Sequence, residues 1–532
     1  MKFAIMICQE NSVMRFLWVL CLMVMVQISV GQQVIVLDET NNEPIANVLM
    51  YSQDLITTVL TDENGQADIS NIEDSVFFVQ HPSYHTVAVL KSGLEYTQGK
   101  IYLGKQSIHL NEVVISSSKR SERLSHVPME IQSISKSENQ LYAPATSADM
   151  IGTGDKVFIQ KSQMGGGSPM MRGFSANRIL LVLDGVRMNN AIFRNGNLQN
   201  IILVDPESID RTEIIFGPGS VIYGSDALGG VIHMNSQDVV LARDSVPVIS
   251  AGIVGRYSSA AEAYTGGYNL NVGHKKWGWA SVFTYNDFGH LRMGSTHHES
   301  YQRTEYVCST CESDAIVENK TPNIQFNTAY RQYNLYNRFT YKPSAFWLIK
   351  LNMHVSSSSD IPRYDRLIEY DDNQLKYAEW YYGPQQWIFG SVSAIYSKKG
   401  KFFDRSSLTL AHQDYQESRF SRKLHDANGI YRQEDVNMST VNWDLDKRIG
   451  KKSTLFYGLE VVHNYVASKA HMGGDAGNVT GAAPTRYPSG GSYMLDNALY
   501  TSIKHELNEQ FVLSAGIRGS FHLLHSQFSD TT

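Results

Sequence analysis

From Val248 onward the chain alternates between apolar and polar positions. Trp347, Ile349, Leu351, Met353 and Val355 fall on one side of a period-2 pattern, and Leu348, Lys350, Asn352, His354 and Ser356 on the other. Trp277, Trp279, Phe283 and Tyr285 repeat the arrangement against Gly278, Ala280 and Thr284. Alternation over nine or so residues marks strands with one apolar and one polar face, as in membrane-spanning β-barrels. The connections alternate as well. Lys342-Pro343-Ser344, Lys398-Lys399-Gly400 and Gly450-Lys451-Lys452 are tight turns, whereas long polar segments occupy about 287–325, 357–384 and 464–492. Short turns at one rim and long loops at the other produce that asymmetry; a soluble β-sandwich is the alternative.

Before Val248 the pattern is different. Ile179 to Leu183 is a continuous apolar run, as expected of a strand buried on both faces. Asp184-Gly185 then predicts a hairpin turn, with Val186 to Met188 returning. Asp205 offers an N-cap with Pro206 at the first helical position, predicting a short helix to about Arg211. Strand character resumes over Thr212 to Phe216. Ala148 to Ile151 reads as a short helix, Val157 to Gln160 as a strand, and Gly165-Gly166-Gly167-Ser168 as a flexible loop. Gly217, Gly219, Gly224, Gly229 and Gly230 mark tight turns or close backbone approach. No phosphate-loop or dinucleotide fingerprint accompanies them. Residues 124–236 are therefore a compact α+β domain.

Residues 33–105 carry short apolar stretches separated by turn signals: Val34 to Leu37, Val48 to Tyr51, Thr57 to Leu60, Val76 to Val79 and Thr86 to Leu90. They predict a small β-sandwich. His81 and His85 read as sandwich-surface histidines rather than metal ligands. Ahead of them Arg15 precedes an apolar run from Phe16 to Val26, with Ser29-Val30-Gly31 supplying small residues for cleavage, so 1–31 reads as an export signal that begins at Met1 or Met14. No later stretch reaches transmembrane-helix length, so membrane insertion would use β-strands.

Composition narrows the picture. The formal net charge of −6 argues against a nucleic-acid partner. The 29 Tyr and 7 Trp suit interfacial girdles, where a ring has one apolar and one wet side. Of the four cysteines, Cys8 and Cys21 lie in the signal. Cys308 and Cys311, as C-S-T-C in a polar loop of an exported chain, are expected to form a disulfide rather than a zinc site. No nucleophile–base set or paired-carboxylate motif points to an enzyme, and no resident cofactor is expected.

Residues 172–234 read R-G-F-S-A-N-R-I-L-L-V-L-D-G-V-R-M-N-N and, further on, V-D-P-E-S-I-D-R-T-E-I-I-F-G-P-G-S-V-I-Y-G-S-D-A-L-G-G-V-I-H-M. This resembles the plug domain of TonB-dependent outer-membrane receptors. The motif positions are Arg172, Gly173, Asp184, Gly185, Arg187, Arg211, Glu213, Gly217, Pro218, Tyr223, Gly224, Gly229 and Gly230. Pro44 to Val48 with Thr61 to Ala67 resembles the carboxypeptidase regulatory-like domain that precedes the plug in receptors of the Bacteroidetes type. Between the two, within 110–123, Glu112, Val113, Val114, Ile115 and Ser116 resemble a TonB box; a closing strand of the sandwich is the alternative.

The resemblance implies a mainly β protein in the outer membrane: a periplasmic sandwich, an α+β plug, and a monomeric antiparallel barrel of about 22 strands set in lipid. About 285 residues follow the plug, enough for some ten to twelve strands, so 247–532 is expected to be the first part of a barrel and the chain a C-terminally truncated receptor. It also implies import driven by TonB with ExbB/ExbD. Within the superfamily the plug string, Ile361 to Leu367 and Tyr382 to Gln385 lean toward haem, siderophore and vitamin B12 receptors rather than glycan importers. The ligand is expected to be haem or another iron complex, with His297 and His298 in an outer loop as candidate contacts. The alternatives are a glycan or cobalamin importer, or a surface receptor that binds or signals without transport.

Overall fold

The computed structural model describes residues 32–39, 42–52, 57–81, 83–104, 113–114, 122–123, 127–154, 156–193, 200–217, 219–296, 299–308, 311, 313–473, 479–508 and 511–529. The chain divides into two units, Met1–Glu112 and Val113–Thr532.

In the first unit, Gln33–Asp38 lies between Gln66–Asp68 and Lys100–Leu103, and a second sheet runs Thr58–Leu60, Leu49–Ser52, Val76–His81, Tyr84–Leu90. Val36, Val48, Met50, Ile69, Ile72, Phe77, Val79 and Leu103 are fully buried in its core. The strands at 66–68 and 100–103 escaped the pattern because each has a single buried pair of side chains or fewer to mark it.

The second unit contains the α+β domain and the long strands. A five-stranded sheet places β1 (Glu130–Ser135), β4 (Ile209–Phe216), β5 (Gly230–Ser236), β2 (Ile179–Leu183) and β3 (Val186–Arg187) side by side in that order. β2 is buried along its whole length: Ile179, Leu181 and Leu183 enter one core cluster, Leu180 and Val182 another. That is what the uninterrupted apolar run requires. Asp184 and Gly185, with φ of 50° and 84°, turn β2 into β3. The helix expected from Asp205 to about Arg211 is only a 3-10 turn over Pro206–Ser208, capped as anticipated by the Asp205 side chain. β4 begins at once, because Ile209 and Arg211 already pair with Ser236 and Asn235; sheet pairing overrides the weak local preference of a short segment.

Eleven strands then follow one another antiparallel in chain order. They are β6 (Val248–Ser258), β7 (Ala263–Gly273), β8 (Trp277–Phe288), β9 (Tyr330–Tyr341), β10 (Trp347–Ser358) and β11 (Gln386–Ser397), then β12 (Arg405–Lys423), β13 (Gly429–Ile449), β14 (Ser453–Gly473), β15 (Ser492–Glu506) and β16 (Val512–Ser526). The sheet is an open wall whose edges are β6 and β16. Its polarity is inverted relative to a soluble protein. Asn334, Arg338, Asn352, His354, Ser391, Gln413 and Asn442 are buried against the α+β domain, while Trp279, Phe339, Leu351, Met353, Val392 and Leu410 are exposed on the other face. An uncovered apolar face and a polar inner face suit a wall standing in lipid. Paired rings edge that face at both ends, Tyr257–Tyr264 and Tyr285–Tyr333 near the long loops, Trp277–Phe339 and Trp347–Tyr396 near the tight turns.

The apolar belt is not level with the register. Ile388 on β11 pairs with Asp414 on β12, so polar side chains replace apolar ones at the same rung one strand later. A horizontal belt must drift in register along tilted strands, as this one does. Among the described residues no helix is long and apolar enough to cross a membrane. Leu351, near the middle of β10, sets a test. Leu351→Arg should cost about 2–4 kcal/mol of folding free energy into lipid vesicles, and Tyr333→Arg, close to the loop rim, about 1 kcal/mol or less. Urea titration in vesicles measures both.

Candidate functional site

The hairpin tip at Asp184-Gly185 carries a buried ion-pair anchor between the α+β domain and the wall. Ser236 donates to Asp184 through its amide at 3.0 Å and its hydroxyl at 2.8 Å. Arg338 of β9 places Nη2 2.7 Å from Asp184 Oδ2 and Nη1 2.6 Å from Asp238, which Lys350 Nζ also reaches at 2.6 Å. Its remaining hydrogen bonds go to Asn352 Oδ1 and the Ser236 carbonyl. Burial alone would raise the Asp184 carboxyl, but the Arg338 guanidinium and His354 outweigh it and hold the group well below the usual carboxylate range. A buried pair so completely hydrogen-bonded costs about 3–5 kcal/mol to break from one side.

A second cluster forms where β3 ends. Arg187 reaches Asp226 at 3.1 Å and the Tyr223 carbonyl at 2.9 Å, and lies 3.6 Å from Glu460 on β14. Arg518 on β16 joins the same carboxylate and also donates to the Ile222 carbonyl. Around these ion pairs, wall side chains hold backbone groups of the inner domain. Gln413 donates to the Arg187 carbonyl, Asn442 to the Gly185 carbonyl and Gln332 to the Ile202 carbonyl; Asn464 accepts from the Ala191 amide. These contacts read the path of the backbone and tolerate sequence change in the inner domain.

At the loop end the domain meets the segment 359–367. Asp365 N donates to the Ser162 carbonyl at 3.1 Å. A Cβ on Gly165 would lie 2.8 Å from Ile361 and 2.9 Å from Tyr330. The expected flexible loop at 165–168 is therefore buried and packed, and Ser168 opens a strand. The reason lies far along the chain, in Ile361, where local composition carries no signal.

The other motif positions are distributed through the inner domain. Arg172, at φ 48°, pairs with Glu130 and stacks on Phe216 at 5.4 Å, with Gly173 following at φ 83°. Arg211 lies 3.8 Å from the fully buried Glu213. Tyr223 contacts His233 Nδ1 at 3.5 Å. Gly217 and Gly224 take φ of 109° and 90°. Gly229 and Gly230 serve close approach instead, since a Cβ would strike Phe174 at 2.3 Å and the Ile215 carbonyl at 2.4 Å respectively. Val113–Val114 form a two-residue antiparallel ladder with Glu122–Arg123. Glu112, Ile115, Ser116, Pro218, His297 and His298 lie outside the described residues. Cys308 and Cys311 are joined, with Cα atoms 5.6 Å apart. Among the described residues no cluster of three or more His, Cys, Asp or Glu is arranged to hold a metal.

Residues 123–231 match the family described as TonB-dependent Receptor Plug Domain. The chain is 28% identical over 282 residues to the vitamin B12 transporter of Vibrio vulnificus (strain CMCP6), covering 52% of this chain and 39% of that protein. It is 27% identical over 195 residues to the hemin receptor of Yersinia pestis, covering 35% and 27%. In fold it is similar to a copper transporter (TM-score 0.57, 12% identity, 74% of this chain and 55% of that one). It is also similar to the ferric yersiniabactin uptake receptor of Yersinia pestis (TM-score 0.52, 15% identity, 74% and 56%). The chain thus spans well under half the length of these two curated relatives. Residues 123–231 thus match a TonB-dependent receptor plug, the aligned relatives are a vitamin B12 transporter and a hemin receptor, and the solved structures share the fold.

Asp205 gives the docked domain a pH dependence. Burial pushes its carboxyl up to about 7, against the hydrogen bonds from Glu207 N and Thr284 Oγ1 that favour the anion. The docked state then keeps a proton that the unfolded chain releases near the ordinary value of 3.8, so stability falls as pH rises from about 4 to 7. Asp205→Asn stays neutral and retains the cap. Its advantage over the parent should be near zero at pH 4 and largest at pH 8, read from denaturation midpoints at both.

Proposed function

We infer that this TonB-dependent outer-membrane receptor is an energy-coupled importer of a scarce ligand, haem or another iron complex, and not an enzyme. The observation that carries the reading is the way the plug is held. It is ion-paired to the wall at two places, Asp184 with Arg338 and Arg187 with Glu460, and between them it is held by hydrogen bonds to its backbone that can be exchanged one by one. Such a domain blocks the lumen at rest and yields under force without unfolding the wall.

In this reading ligand arrives at the long loops, where Ser162 and Gly165 of the plug meet the segment 359–367. TonB, driven by ExbB/ExbD, pairs with Glu112 to Ser116 from the periplasmic side, which also holds the N-terminal sandwich. The two-residue ladder of Val113–Val114 is short enough for a longer incoming strand to replace. Haem is favoured by the sequence likeness to the hemin receptor and by the plug string. Cobalamin is the second reading, because the relative that aligns over 282 residues is a vitamin B12 transporter. His297 and His298 remain candidate ligand contacts.

Val114→Pro removes a ladder donor at the centre of the coupling segment. Uptake should fall to the level of a strain lacking TonB while ligand binding to whole cells is unchanged. Growth on haem, on ferric siderophores and with cobalamin as limiting nutrients identifies the cargo. Undiminished uptake by the Val114→Pro receptor would remove the coupling assignment.

A further inference from the structure

The long loops contain a cleft of their own. It has a volume of about 480 Å³ and is lined by Arg303, Tyr301, Tyr364, Ile368, Tyr370 and Leu375, among others. That volume is in the range of small-molecule sites, about 300–1,000 Å³. Its floor is charged and its rim is aromatic. Arg303 is buried, 4% exposed, whereas Tyr301, Ile368 and Tyr370 stand 68%, 41% and 55% exposed around it. Exposed rings around a sunken polar group are the arrangement of a site that stacks a flat ligand and fixes one end of it.

The guanidinium is held but not neutralised. Nε donates to the Glu305 carbonyl at 3.1 Å and Nη1 to the Phe326 carbonyl, while the plane stacks over the Tyr364 ring at 5.2 Å. Nη2 makes no hydrogen bond among the described residues. No carboxylate among them lies within ion-pair distance; the nearby Glu305 side chain accepts from the Tyr370 hydroxyl at 2.9 Å instead. Burial disfavours the charged form, yet an arginine keeps its proton in proteins. A fixed cation, desolvated and without a counter-ion, attracts an anion more strongly than an exposed one. Its planar fork suits a carboxylate.

We propose that this cleft binds an aromatic carboxylate, with the carboxylate on Arg303 and the ring system stacked among Tyr301, Tyr364 and Tyr370. The proposal deepens the import reading, because a porphyrin with free propionates is an aromatic carboxylate, and on that reading the cleft is where the cargo is first held. The cleft is also joined to the plug. Tyr364 begins the short helix Tyr364–Leu367, and the next residue, Asp365, donates to the Ser162 carbonyl of the plug. An occupant that moves the Tyr364 ring therefore acts one residue away from a plug contact.

The test uses the purified intact receptor and three probes: iron(III) protoporphyrin IX, its dimethyl ester, and salicylate. Binding is measured by calorimetry for the parent, Arg303→Gln and Ile368→Trp, the last filling the cleft without touching the cation. The free acid should bind at least tenfold tighter than the ester. Arg303→Gln should erase that preference and weaken salicylate, and Ile368→Trp should weaken every probe. Resistance of each variant to unfolding in detergent at room temperature shows that the barrel is intact. An acid preference that survives Arg303→Gln, or no probe binding in an Arg303-dependent way, would overturn the site. The import reading has its own arm: if Arg303-dependent binding is found but uptake ignores Val114→Pro, import fails and the site stands.

Discussion

Each long strand has to present hydrocarbon to one side and hydrogen-bonding groups to the other, and the rest of the second unit follows from that demand. Lipid offers no partner to an amide or a carboxylate, so within the apolar belt the outer face holds side chains such as Trp279, Leu351 and Leu410. Within the belt the polarity of the wall is driven inward. Part of the inner face, including Phe288, Trp387, Phe389 and Tyr415, packs into the apolar core of the inner domain, but its polar side chains need other partners. They require a domain whose surface supplies carbonyls, amides and carboxylates at matching places, and the α+β domain does so at Gly185, Arg187, Ala191 and Ile202.

Two kinds of bond result, with different mechanical meaning. The amide-to-carbonyl contacts are neutral and contribute about 0.5–1.5 kcal/mol each. The Asp184–Arg338 pair is deeply buried, and its loss strands a charge in a poor dielectric. Resistance to displacement is therefore concentrated at this pair and at the Arg187–Glu460–Arg518 cluster, and the neutral contacts resist less. Asp238 keeps Arg338 partly compensated if Asp184 moves away, although it is shared with Lys350, and this lowers the penalty of release below that of an isolated pair.

What could be read from the chain is what depends on neighbours in sequence. The period-2 run from Trp347 to Val355, the Asp184-Gly185 turn and the doubly buried Ile179–Leu183 all express local geometry, and the structure contains each of them. The lumen-facing role of Lys350, Asn352 and His354 was present as a polar face without partners. Long-range pairing was not legible. Arg338 finds Asp184 across the domain boundary, Gly165 is buried by Ile361, and Ile209 becomes strand because Ser236 stands beside it. None of these relations leaves a mark in composition or period. Arg303 is similar, since its isolation is a property of the loops folded around it.

On the import reading, in which the inner domain shifts, the glutamine and asparagine side chains of the wall take a second role. Gln332, Gln413, Asn442 and Asn464 would then each lose a bond to the inner-domain backbone, while Gln332 keeps Asn334 and Ser356 and Gln413 keeps Trp387. Water takes up those bonds at little net loss, so the vacated path hydrates spontaneously instead of collapsing. A wall lined with leucine would dewet and close behind the moving domain. On the import reading, the residues that dock the inner domain are thus also the ones that would keep the vacated path wet.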